Sequence, residues 1–149
     1  MKTIYIGADH RGFELKEKIK KWFAKKKIPF KDLGDLKLKP TDDYPDYAAK
    51  VAKKVASGGS LGILICGSAQ GVCIAANKIK GIRAVAPFNL RESAMSRKDE
   101  DANIICLSGI FSTLMKAKKM IGLFLNTPFS GEARHVRRIN KIKKLEGKR

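Results

Sequence analysis

Cysteine is scarce in this chain. Its three copies, Cys66, Cys73 and Cys106, are too few and too widely spaced for a disulfide framework or for a zinc site built on Cys-x-x-Cys pairs, so reduced thiols are expected. Long apolar runs are missing too. No stretch approaches the roughly 18 residues a membrane span needs, and the opening MKTIYIGADHRGF lacks the apolar core and small-residue cleavage site of a signal peptide. A cytoplasmic protein with no membrane partner is the expectation. Acidic residues are outnumbered, 14 against 32 Lys+Arg, for a net charge of +18 that favours anionic ligands in general and names none. Aromatics make up only 7% and are seldom interleaved with the lysines, so a solvated lysine face is preferred to a nucleic-acid surface.

What remains is a globular composition, 44% hydrophobic and 31% charged over 149 residues, which fits one domain spanning 1–149. Thr3 to Ala8 is an apolar run of strand length, and Leu15, Ile19, Trp22 and Phe23 fall on one face of a helix from Arg11 to Lys27. The alternation recurs. Strands are expected at Ile28–Leu33, Leu61–Cys66, Ile82–Ala86 and Asn103–Leu107. Helices are expected around Tyr47, Val51 and Val55, over Gly71–Ile79 and Leu90–Arg97, through Leu114, Ala117, Ile121 and Phe124, and over Gly131–Leu145. Such alternation, with strands like GILIC apolar throughout, predicts an α/β fold: a Rossmann-like three-layer sandwich around a parallel sheet of about five strands. Asp35 to Pro45 reads as a loop long enough to border a site, and Glu146 to Arg149 is expected to fray.

Ligands of open parallel sheets bind beyond the carboxyl ends of the strands. Two segments lie there. Asp9 and His10 follow the first strand and can orient and deliver protons, although the acid equally well caps the helix behind it. After the third strand, Cys66-Gly67-Ser68-Ala69-Gln70-Gly71 forms a glycine-bracketed turn whose amides either converge on a phosphate or oxyanion or simply make a tight turn. It matches neither the Walker pattern nor the dinucleotide fingerprint. Cys66 ends a buried strand, so it is either a packing residue or a thiol facing the pocket beside those amides. Cys73 and Cys106 are assigned to packing. On the last helix, Arg134 and Arg138 share a face one turn apart, which suits a phosphate as well as a solvated surface.

Together GADHRGF (7–13), DYPDYA (43–48), LICGSAQGVCIAANKIKGIRA (64–84) and GEARHVRRI (131–139) resemble the ribose-5-phosphate isomerase B family, which includes the galactose-6-phosphate isomerase subunits. The resemblance implies an aldose–ketose isomerase of a five-carbon sugar phosphate, working without metal or organic cofactor. It also implies a homodimer with its site between subunits and the last helix on the partner, further pairing to a tetramer being left open. Cys66 resembles the family's base, with Gly67 to Gly71 and the Ser68 hydroxyl stabilising an enediolate. Asp9 and His10 match positions that bind the sugar and its phosphate, and Arg134 and Arg138 match phosphate-binding arginines. Three positions depart. Asp99 stands for the ring-opening histidine, Glu100 for a ligand-binding asparagine, and Ile110 for an arginine that adds a phosphate contact. Loss of a positioned acid lowers rate by about 10²- to 10⁴-fold, whereas loss of base and oxyanion turn removes the chemistry. An isomerase is therefore preferred to a catalytically impaired sugar-phosphate binder, with a basic nucleic-acid binder third.

Overall fold

The computed structural model describes residues 1–147. Five strands, β1 (Ile4–Ala8), β2 (Phe30–Asp32), β3 (Gly62–Cys66), β4 (Ala84–Val85) and β5 (Ile104–Ser108), form one parallel sheet in the order β2-β1-β3-β5-β4. Between and after them lie α1 (Phe13–Lys26), α2 (Tyr44–Gly58), α3 (Gln70–Ala76), α4 (Leu90–Glu100), α5 (Leu114–Asn126) and α6 (Ala133–Glu146). The expected α/β sandwich is what forms. The central strands GILIC and IICLS are buried at every position, as befits strands covered on both faces.

Period two sorts their side chains. Ile63, Ile65, Ile105 and Leu107 pack with Leu15, Ile19 and Phe23 of α1 and with Ala117, Ile121 and Phe124 of α5. Leu64, Cys66, Ile104 and Cys106 face the other way, onto Val51, Ala52 and Val55 of α2 and Val72 and Ala76 of α3. The helices start where local chemistry lets them. Pro45 sits in the first turn of α2, where a missing N–H costs nothing. Asn89 accepts the Glu92 amide at 2.9 Å as the N-cap of α4, while Glu92 takes the amide of Phe88, one residue before the cap, at 2.7 Å. Thr113 caps α5 through the Lys116 amide at 3.1 Å.

Boundaries differ modestly from expectation. α4 runs to Glu100, a turn beyond Arg97, because Asp101 adopts a left-handed C-cap at φ 47° and its carboxylate ties back to Arg97 at 2.8 Å. β4 shrinks to two residues at the sheet edge. Glu146 does not fray: it ends α6, and its Oε1 accepts the Gly81 amide at 3.0 Å. Lys148 and Arg149 lie outside the described residues.

Because β1 pairs with β2 on one side and β3 on the other, the chain reverses its winding between β1 and β3 and opens a crevice at their carboxyl ends. Two glycines let the strand ends close up behind it. A Cβ on Gly12 would collide with the Ile65 carbonyl, and one on Gly109 with the Arg11 carbonyl.

Candidate active site

At that crevice lies a cavity of about 640 Å³ whose wall includes Cys66, Gly67, Ser68 and Gly71 on one side and Asp9 and His10 on the other. Cys66 is the last residue of β3 and only 4% exposed. The turn behind it is braced from β5: Gly109 donates to the Cys66 carbonyl at 2.8 Å, Ile110 to the Gly67 carbonyl at 3.2 Å, and the Ser108 hydroxyl to the same Gly67 carbonyl at 2.5 Å. With its carbonyls so occupied, the turn leaves its amides free. Those of Ser68, Ala69, Gln70 and Gly71 find no acceptor among the described residues. Ala69 holds φ at +70°, a left-handed conformation costly for a residue with a Cβ, to make the turn into α3. Unpaired amides beside a buried thiol are suited to a charge that develops on oxygen.

Asp9 ties down the turn before α1, whose N-cap is Gly12, and it also borders the cavity. Its Oδ1 accepts the Arg11 and Gly12 amides at 3.0 and 3.1 Å, which sets the entry to α1, and the same side chain lines the cavity. His10 is held by a residue of the long loop: Asp42 Oδ1 accepts the His10 backbone amide at 3.0 Å and meets Nδ1 at 2.7 Å. The buried Asp42 carboxylate thereby favours the proton on Nδ1 and leaves Nε2 without a partner among the described residues. The loop itself is anchored. Lys16 Nζ, fully buried, reaches the Asp35 carbonyl at 2.6 Å, and the Tyr47 hydroxyl donates to the Asp35 carboxylate. Burial and that carboxylate raise the Tyr47 phenol above its ordinary range, so it stays a donor. Asp9, His10 and Asp42 offer ligand atoms within 4.8 Å of one another, spacing that could hold a cation, and their hydrogen bonds already account for the arrangement.

The remaining candidates lie elsewhere. Ala69 and Gln70 line an adjoining cavity of about 460 Å³ that shares Ser68 with the first and has Cys106 in its wall. Asp99 and Glu100 end α4 at a third hollow, lined also by Pro87, Glu92 and Met95. Arg134 and Arg138 stand on the exposed side of α6, Arg134 paired with Glu132 at 2.9 Å. Asp99, Glu100, Arg134 and Arg138 are thus not in the cavity that holds Cys66. Asp99 instead faces His135, Nε2 to Oδ1 at 3.8 Å, while the Ser130 hydroxyl lies 2.7 Å from His135 Nδ1. Cys106 is buried and Cys73 half-buried, in keeping with packing roles. Burial, with Cys73 beside it, pushes the Cys106 thiol well up, and the contact with Cys106 pulls the Cys73 thiol down. No helix among the described residues is long and apolar enough to cross a membrane.

The profile of the Ribose/Galactose Isomerase family matches residues 4–142. The chain belongs to this family. Its relatives include a probable ribose-5-phosphate isomerase B of Mycoplasma pneumoniae, 45% identical over 93% of this chain and 91% of the relative. The ribose-5-phosphate isomerase B of Escherichia coli is 38% identical over 100% of this chain and 99% of its own. Among solved structures, the Mycoplasma genitalium isomerase B with bound ribulose 5-phosphate superposes with a TM-score of 0.93 at 41% identity, covering 99% of this chain and 97% of that one.

Membership in the Ribose/Galactose Isomerase family agrees with the resemblance carried by the motifs. The cavity residues that the sequence motifs do not single out include Asp42, Tyr44 and Arg11. Asp42 was hidden in a loop flagged only as a border, one residue before the DYPDYA motif. Tyr44, whose ring lies against Gly71, sits inside that motif. Arg11 looked like one more basic residue at a helix start.

Proposed function

We propose that this member of the Ribose/Galactose Isomerase family interconverts ribose 5-phosphate and ribulose 5-phosphate, with Cys66 as the base. The observation that carries the reading is the pairing of a buried thiol at the end of β3 with four successive amides that have no acceptor among the described residues. Cys66 takes the C2 proton of the open-chain aldose, the electron pair moves toward O1, and the turn amides with the Ser68 hydroxyl receive the charge of the enediolate. Return of the proton to C1, with transfer of the O2 proton to O1, gives the ketose. Asp9 and His10 hold the sugar from the facing wall.

The enzyme acts as a homodimer in which a second copy completes each site. Asp99, Glu100, Arg134 and Arg138 come from the partner's α4 and α6. Two features support this: those residues do not line the Cys66 cavity within their own chain, and the rim of the cavity carries Ile110 and Phe111, 55% and 77% exposed, an apolar edge that a partner would cover. Free thiols, one of them the base, suit the reducing cytoplasm. Neither a metal nor an organic cofactor enters the scheme.

Incubation of the purified protein with ribose 5-phosphate, allose 6-phosphate and galactose 6-phosphate, with ketose followed over time, tests the reading. Ribulose 5-phosphate from the first sugar is the expected result, and no ketose from any of the three would leave a silent sugar-phosphate binder.

A further inference from the structure

A sugar phosphate brings a dianion into a cavity to which the chain that holds Cys66 contributes little positive charge. Its wall carries three carboxylates, Asp9, Asp42 and Asp43, against two basic side chains, His10 and Arg11. His10 Nδ1 is already engaged by Asp42 at 2.7 Å. Arg11 is not engaged: the arginine ion pairs are those of Arg83, Arg97 and Arg134, and the Arg11 guanidinium has no partner among the described residues. It is therefore the one permanently charged cation of the wall among those residues, and an uncommitted one.

Its position is set from the backbone outward. The Arg11 amide is pinned to Asp9 Oδ1 at 3.0 Å, and its carbonyl packs against Gly109. From that fixed root the side chain crosses Gly67, the residue after Cys66. Arg11 Cδ lies 3.0 Å, Ile110 Cδ1 3.2 Å and Arg11 Nη1 3.7 Å from the point a Cβ on Gly67 would occupy. Arg11 and Ile110 thus converge on the same patch from different strands. Ile110 brings only methyl groups to it, and Arg11 brings the fork of N–H donors that matches a phosphate.

We propose that Arg11 binds the substrate phosphate, filling from the loop after β1 the place that Ile110 leaves without charge after β5. This rests on the sugar-phosphate reading of the site above, and the test separates the two. The guanidinium is exposed, so its replacement leaves the packing of β1 and β3 intact. Binding of inorganic phosphate is measured by calorimetry, and ribose 5-phosphate kinetics at fixed ionic strength, for wild type, Arg11→Ala, Arg11→Lys and Arg11→Ala with Ile110→Arg. Lys54→Ala, on the exposed side of α2, controls for the loss of one charge.

The expected result for Arg11→Ala is a phosphate Kd and a KM raised about ten- to hundred-fold, with kcat changed by less than about three-fold. Arg11→Lys recovers part of the affinity as a point charge, and Ile110→Arg in the Arg11→Ala background recovers more, because the fork returns to the same patch. Phosphate affinity within about two-fold of wild type, a loss matched by Lys54→Ala, or recovery by neither Arg11→Lys nor Ile110→Arg overturns the proposal. Arg11-dependent phosphate binding in a protein that leaves ribose 5-phosphate unchanged supports it while removing the isomerase reading.

Discussion

The role proposed for Cys66 depends on where β3 stops. One residue earlier it would be core, and one later it would sit on the turn. Cys66→Ala is expected to lower turnover by at least about 10²-fold, since no other thiol or carboxylate stands at the end of β3, whereas Cys73→Ala, on α3 and outside the cavity lining, stays near wild type. Steady-state turnover checks both, and a Cys66→Ala protein keeping more than about a tenth of the activity contradicts the assignment. The departure at Asp99 carries a second prediction. Asp99 puts a carboxylate where the resemblance places an imidazole acid, and its Oδ1 lies 3.8 Å from His135 Nε2. Asp99→His with Glu100→Asn is therefore expected to raise kcat on ribose 5-phosphate by about ten-fold or more. Erythrose 4-phosphate, whose phosphorylated O4 cannot close a five-membered ring, should show no such gain. A double mutant no faster on the cyclic sugar shows that ring opening already has its acid. At this scale the sequence was legible where chemistry is contiguous, as in Cys66 to Gly71. It was silent where a role comes from a distant partner: nothing local marks Asp42, 32 residues from the His10 it orients.

Element boundaries were readable wherever a buried face imposes a period, and blurred where charge dominates. α4 has one buried side chain, Ser93, so its end is decided by the Asp101 cap and not by an apolar stripe. Lys16 shows the opposite error. In FELKEKIKKW it looks like one more solvated lysine, yet it is fully buried and pairs with Asp32 at 2.8 Å, joining α1 to β2. Lys20 meets the same carboxylate at 2.7 Å. Burial alone would raise the Asp32 carboxyl, but hydrogen bonds from Lys16 and Lys20 outweigh it and hold the group below its ordinary value. A carboxylate with a depressed folded-state pKa adds stability that is fully present above its unfolded value, about 3.9, and is lost as pH falls through the folded one. Thermal melts of wild type should thus lose stability more steeply below about pH 4 than those of Asp32→Asn. Asp32→Ala, which leaves buried Lys16 without its carboxylate, should cost about 3 kcal/mol. Lys16→Met should cost less, because Asp32 keeps Lys20. Equal losses in the two variants would show that packing, not the ion pair, joins α1 to β2.

At the scale of the whole molecule, right-handed crossovers between parallel strands were foreseeable, and the strand order was not. Strand β5 inserts between β3 and β4 because its five buried residues need cover on both edges, while the two-residue β4 tolerates an edge. That order places the ends of β1 and β3 side by side and carries α4 and α6 to the far margin, away from the cavity. On the reading proposed above, the thiol and the Arg134–Arg138 pair serve one site only where two copies meet. Subunits can be mixed to test this. One variant carries Cys66→Ala, with its α6 arginines intact, and the other carries Arg134→Ala and Arg138→Ala, with its thiol intact. Each alone is expected to be nearly inactive. In a dimer of one of each, one site joins the intact thiol to the intact arginines and the other joins both defects. Random re-pairing makes about half of the dimers mixed, so about a quarter of all sites are whole, and activity should return to about a quarter of wild type. Refolding the variants separately and combining them without exchange should give no gain. If co-refolding also gives none, while size-exclusion shows that mixed dimers form, each protomer closes its own site and the arginines of α6 serve something other than the sugar phosphate.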